Sequence, residues 1–199
     1  MLGNFIIFDL ETTGLPIKRN APINDLNNWP RIVQFAFGIY KSNGECIEEY
    51  DYVIKPDNFT IPENSTKIHK ITNEYAIDHG YEIKYVLEYF LEKLKNIDYL
   101  VAHNLKFDKK ILETELYRNN FDFNLQKYNL KDICTMETST NFCKLEPFRY
   151  NTYKWPRLEE LHKKLFDEKV DGFHNALVDI QVCKKCLFKL IELNIIELS

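Results

Sequence analysis

Residues 4–14 read NFIIFDLETTG, an apolar run that is interrupted by acids only at its end. Apolar residues on both faces of a short segment predict a central strand in a sheet covered on both sides, here over residues 5–10. A second strand is predicted in RIVQFAFGIY, residues 31–40, and a third in ECIEEYDYVI, residues 45–54. The short Gly-containing segment Lys41-Ser42-Asn43-Gly44 joins these two as a β-hairpin. Between the first two strands, LPIKRNAPINDLNNWP is rich in Pro and Asn and reads as a long loop, a kind of segment that often carries function. Short helices are expected around STKIHKI and TNEYAIDHG, with Thr72 capping the second and Gly80 stopping it. In YEIKYVLEYFLEKL, the residues Ile83, Val86, Leu87, Phe90, Leu91 and Leu94 repeat at helical spacing and form one stripe that covers the sheet. There follow a strand in DYLVAHN, a helix from about Phe107, a short strand in KDICT, a helix near RLEELHKKLF and a long final helix from about Asn175. Three consecutive antiparallel strands followed by βαβ units predict an α/β fold, with a mixed central sheet flanked by helices.

With 199 residues, 45% of them hydrophobic, the chain can bury a full core, and residues 1–199 are read as one domain. No apolar stretch approaches the ~20 residues that span a bilayer. The N-terminus lacks the basic segment and small-residue cleavage site of a secretory signal. Five cysteines, an odd number, argue for reduced thiols rather than a disulfide framework. An intracellular protein with no membrane partner is therefore expected. Cys183 and Cys186 form a CxxC without a second pair, in a strongly helical segment; packing thiols are the expected reading, with zinc the alternative. The net charge of -4 gives no basic-tract argument for nucleic acid, and does not exclude it.

The chemistry lies in the acids. Side chains alternate across a strand, so Asp9 and Glu11 point to the same side. Held close and partly desolvated, two like charges raise each other's pKa unless a cation sits between them. The alternative is a strand that ends at residue 8, with both acids in water. Two further acids bear on the choice. Asp108, in HNLKFDKKILETEL, lies three and four residues before Ile111 and Leu112 and so shares their buried helical face. Asp179, in HNALVDIQVCKKCLFKL, falls among Ala176, Cys183 and Leu187. Any one of these acids could be a buried, hydrogen-bonded carboxyl. Four of them, with no matching inward Arg or Lys, suggest hard divalent cations held by oxygen ligands.

The segments DLET, HNLKFD and HNALVD, in that order, resemble the three motifs of the DnaQ-like or DEDDh 3′-5′ exonucleases of the ribonuclease H-like superfamily. IPENSTKIHKIT and KWPRLEELHKKLF resemble further stretches of that family, so the resemblance spans nearly the whole chain. It implies a ribonuclease H-like fold in which Asp9, Glu11, Asp108 and Asp179 ligate two Mg²⁺ or Mn²⁺ ions. It also implies that His174 is the general base, histidine being the side-chain type that titrates nearest neutrality. His174 lies five residues before Asp179, about 140° away on a continuous helix, so it reaches the same site only from a loop before that helix. The sister subtype carries a Tyr where this chain has Asn175, which favours the His subtype.

The resemblance further implies backbone contacts near Thr12 and Thr13 to the terminal sugar, a turn of positive φ at Gly14, and Leu15 packed on the end base. His69 matches a position near the substrate, although Lys70 replaces the usual Gly, and His103 and Asn104 fall within the second motif as candidate substrate contacts. The implied function is a metal-dependent exonuclease of the proofreading or repair type, which releases nucleoside 5′-monophosphates from the 3′ end of single-stranded DNA. The alternatives are a 3′-5′ RNA exonuclease, or a non-catalytic nucleic-acid-binding module on the same fold. A DNA polymerase or another replication or repair protein is the candidate protein partner.

Overall fold

The computed structural model describes residues 3–122, 125–147 and 152–198. Among these residues, one sheet holds five strands: β1 (Phe5–Thr12), β2 (Ile32–Tyr40), β3 (Cys46–Val53), β4 (Tyr99–Ala102) and β5 (Lys131–Cys134). Their order is β3-β2-β1-β4-β5, with β1 in the centre. The β1–β2 and β2–β3 pairs are antiparallel, and the β1–β4 and β4–β5 pairs are parallel. This is the mixed sheet that the pattern of strands and helices predicts.

Alternation along β1 divides the core. Ile6, Phe8 and Leu10 face a cluster that includes Phe35, Phe37, Leu87, Phe90, Ile111 and Leu112, roofed by α3 (Ile83–Lys93) and α4 (Leu105–Arg118). The aromatic rings interlock there, with Phe35 and Phe90 centroids 4.9 Å apart. Phe5 and Ile7 face the other way, into a cluster with Ile180, Cys183, Leu187 and Leu190 of α7 (Ala176–Glu192) and with Leu161 of α6 (Leu158–Phe166). Each such side chain stabilises the fold by roughly 1.5–3 kcal/mol when fully buried. Cys183 and Cys186 are free thiols inside this second cluster, where burial pushes both pKa values up. No helix among the described residues is long and apolar enough to cross a membrane.

Two short helices, α1 (Glu63–His69) and α2 (Asn73–His79), precede α3. The Thr72 hydroxyl accepts the Tyr75 N–H at the start of α2, and Gly80 ends it. A further helix, α5 (Thr135–Cys143), follows β5 and has no counterpart in the hydrophobic pattern. Its hydroxyl groups explain why. Thr138, Ser139 and Thr140 donate to the carbonyls of Cys134, Thr135 and Met136, so polar side chains lie against the helix with their hydrogen bonds made.

The long loop after β1 is bonded rather than loose. Asn28 exchanges two hydrogen bonds with Lys18, and the Trp29 indole donates to the Pro22 carbonyl. The guanidinium of Arg118 on α4 donates to the carbonyls of Leu26 and Trp29. Glu115, 1% exposed, accepts from both Arg31 and Arg118 at 2.7 Å. This ion triad joins α4 to the start of β2.

Candidate active site

The parallel pairing of β1 with β4 stops at Ile7↔Val101, while the antiparallel pairing with β2 runs on to Thr12. The chain leaves β4 after Ala102, so the last part of β1 is open on that side. A crevice at the carboxyl ends of parallel strands is the usual place for a site in an open sheet of this kind. Here it is a cleft of about 640 Å³, lined among others by Asp9, Glu11, His103, Asn104, Asp108, His174 and Asp179.

Asp9 and Glu11 share the face of Phe5 and Ile7, the side covered by α7. Across the ladder, Asp9 is opposite Ala36 and Glu11 is opposite Gln34. Gln34, 2% exposed, fixes the start of α7: its carbonyl accepts the Ala176 N–H at 3.1 Å, and its amide donates to Asp51 at 2.8 Å. Sequence reasoning misses Gln34, although a lone polar residue in an otherwise apolar strand was the available signal. Asn175 caps α7 by accepting the Val178 N–H, which places Asp179 in the first turn, facing the strand.

Carboxylate oxygens of Asp9, Glu11 and Asp179 lie within 4.8 Å of one another, the one group of metal-ligand spacing among the described residues. Asp108, 4% exposed in the first turn of α4, stands beside this cluster without joining it. Burial, followed by repulsion from Asp108, Asp179 and Glu11, drives the Asp9 carboxyl well above its usual range. Burial and then Asp179 raise Glu11 to about 7. Burial also raises Asp179 to about 6, against the opposing pull of its hydrogen bond from His174. Asp108 is raised chiefly by burial. An all-oxygen, electron-rich cluster held in this frustrated state fits hard divalent cations.

His174 stands just outside α7 in the left-handed conformation, at φ 67°. Its side chain lines the cleft, and its main-chain N–H donates to Asp179 Oδ2 at 3.0 Å. The structure thus gives the loop position expected for it. His103 also lines the cleft, yet both ring nitrogens are engaged within the protein. Nε2 lies 3.0 Å from the Pro156 carbonyl, which can only accept, so it carries the proton. Nδ1 then accepts from Thr135 Oγ1 at 2.9 Å. Burial lowers the pKa of this histidine to about 4, so the ring is neutral. Its geometry is that of a brace, not of a free substrate contact.

Asn104 lines the cleft and heads α4 with φ 81°. His69 is not brought to the cleft: it is 4% exposed at the end of α1, with Nδ1 accepting the Ile71 N–H. Thr12 donates from its hydroxyl to the Gly14 carbonyl, and Gly14 takes φ 147°. The Thr13 N–H donates to the Arg31 carbonyl, so this amide is taken within the protein, while the Thr13 hydroxyl oxygen accepts the Arg31 N–H and keeps its own proton to donate. Leu15 is 79% exposed.

A sequence model of the exonuclease family named for RNase T matches residues 6–187. The chain belongs to this exonuclease family. The resemblance to DnaQ-like 3′-5′ exonucleases carried by its three acidic motifs is borne out. The exonuclease is 31% identical over 165 residues to the PolC-type DNA polymerase III of Mycoplasmopsis pulmonis, covering 81% of this chain and 10% of that protein. It is 30% identical over 186 residues to the PolC-type polymerase of Streptococcus pneumoniae, covering 94% of this chain and 11% of that one. It therefore spans about a tenth of the length of these relatives. In fold it is similar to the exonuclease I of Methylocaldum szegediense, with a TM-score of 0.74 at 20% identity over 96% of this chain and 40% of that one. Similar likeness holds for Escherichia coli exonuclease I in complex with a dT13 oligonucleotide, with a TM-score of 0.74 at 19% identity over 94% and 41% of the two chains.

Proposed function

We propose that this exonuclease hydrolyses single-stranded DNA from a free 3′ end, one nucleotide at a time, and releases nucleoside 5′-monophosphates with the help of divalent cations. The observation that carries this reading is the cluster of Asp9, Glu11 and Asp179, whose oxygens lie within 4.8 Å of one another with each carboxyl held above its ordinary pKa. Asp9, Glu11 and Asp179 would hold the cations, with Asp108 beside them. When bound, two ions of the Mg²⁺ or Mn²⁺ kind would neutralise the acids and stabilise the charge that develops on the phosphodiester.

The chain's own groups supply the rest. The His174 side chain lines the cleft beside these acids and would take the proton of the attacking water. Its main-chain N–H holds one oxygen of Asp179 and leaves the other free, so base and ligand are set by one turn of chain. Attack on the terminal phosphorus expels the 3′ oxygen of the preceding nucleotide and leaves the phosphate on the released nucleoside. Leu15, exposed four residues after Glu11, would pack on the end base. The likeness to a segment of PolC-type polymerases supports action beside a polymerase.

The test is a side-by-side digestion of 5′-labelled DNA and RNA oligomers of the same sequence, ending in 3′-hydroxyl or 3′-phosphate. Stepwise shortening of the DNA with a free 3′-hydroxyl is expected, with the 3′-phosphate resisting. Faster shortening of the RNA would assign the enzyme to RNA instead.

A further inference from the structure

Among the described residues, one large exposed apolar side chain lines the carboxylate cleft: Trp155, 53% exposed. A tryptophan usually hides most of its surface, and this one does not sit on a loose segment. The Lys154 N–H donates to the Leu145 carbonyl at 3.3 Å, and the Lys154 ammonium pairs with Glu160 at 2.6 Å. Pro156 follows directly, which confines Trp155 to extended backbone. Pro156 is itself buried, its carbonyl taken by His103 Nε2 at 3.0 Å. The Arg157 N–H then donates to the carboxylate of Glu160 at 2.8 Å. Both neighbours of Trp155 and the residue after them are tied down, while the indole stands in solvent on the wall of the cleft.

From this placement we infer that Trp155 is a stacking platform for an unpaired base of the strand being degraded, and that the His103 brace positions it. The inference rests on the exonuclease reading above and adds a determinant of substrate form. A base paired within a duplex shows its faces only to its neighbours, whereas a single strand can lay one on the indole. Stacking of this kind tolerates any base, as an enzyme that removes nucleotides in succession requires.

Steady-state digestion of single-stranded DNA by Trp155→Ala tests the inference. The KM should rise about 5- to 100-fold with kcat changed far less, and Trp155→Phe should recover most of the loss. On strands carrying an abasic residue at each of the last few 3′ positions in turn, the penalty should vanish at the position that meets the indole. An unchanged KM, or a full penalty on every abasic strand, would overturn the inference. Fluorescence excited selectively at the indole supplies a readout free of turnover, because Trp29 is buried and Trp29→Phe leaves Trp155 as the sole tryptophan. With Ca²⁺ present, single-stranded oligo(dT) should quench this emission to saturation, and a blunt hairpin of equal charge far less. Unchanged emission would overturn the platform. Failure of the wild type to digest any strand would instead sink the exonuclease reading, and the emission would still decide for or against the platform.

Discussion

Replacing Glu11 by Gln should make the metal-free protein more stable near neutral pH, by an amount that grows as the pH rises. The Glu11 carboxyl moves from an ordinary 4.5 to about 7 in the folded state, through burial first and Asp179 second. A raised carboxyl pKa means that the unfolded chain gives up its proton at lower pH than the folded one, so stability is lost as pH climbs between the two values. Below about pH 4 the penalty is absent, and above 7 it is complete. At 1.36 kcal/mol per pKa unit it amounts to roughly 3 kcal/mol. For a chain of this size that corresponds to roughly 6–12 °C in Tm, with the lower end expected because Glu11 retains some contact with solvent. Gln keeps the shape and removes the charge. His69, His103 and His162, all lowered by burial, give the opposite slope, with stability rising up to about pH 6.5. The difference between variant and wild type cancels them. The assay is calorimetry in EDTA at pH 4, 6 and 8, then with saturating Mn²⁺, where wild type should gain more than the variant. A variant no more stable than wild type at pH 8 in EDTA, or a difference that does not grow with pH, would refute the reasoning.

Asp9→Asn and Asp179→Asn should each lower the nuclease rate on the order of 10²–10³-fold or more while the fold persists, as read by parallel rate and circular dichroism measurements. His174→Ala should lower the rate by about 10²–10⁴-fold, as read by steady-state digestion. It should keep the Mn²⁺-induced rise in Tm that Asp179→Ala loses. Glu115→Ala takes the shared carboxylate from Arg31 and Arg118 and leaves them only carbonyl partners, and denaturant unfolding should show a loss of about 3 kcal/mol.

Much of this architecture can be read from the chain because strands buried on both faces announce themselves. FIIF, and the stripe from Ile83 to Leu94, are signals of periodicity, and the fold places both in the core, with Leu91 at its margin. The acids are legible for the complementary reason, since a carboxylate among core residues has no bland explanation once it recurs. Helix α5 is silent because its inner face is hydroxylic, with Thr135 and Ser139 fully buried. Gln34 shows in the sequence only as a polar break in an apolar strand, and Trp155 not at all, because their roles depend on which residues the fold brings opposite them, Ala176 in one case and the cleft in the other. His103 and His69 carry motif positions, but spacing does not tell which ring nitrogens the protein keeps for itself.

That the buried acids hold divalent cations beside a 3′ end is tested most directly by titrating Mn²⁺ into EDTA-treated protein with 5′-labelled linear and circular single-stranded DNA. No cutting is expected in EDTA. With Mn²⁺, the linear strand should shorten one nucleotide at a time from its 3′ end while the circle stays intact. Digestion at full rate in EDTA, or prompt opening of the circle, would contradict it.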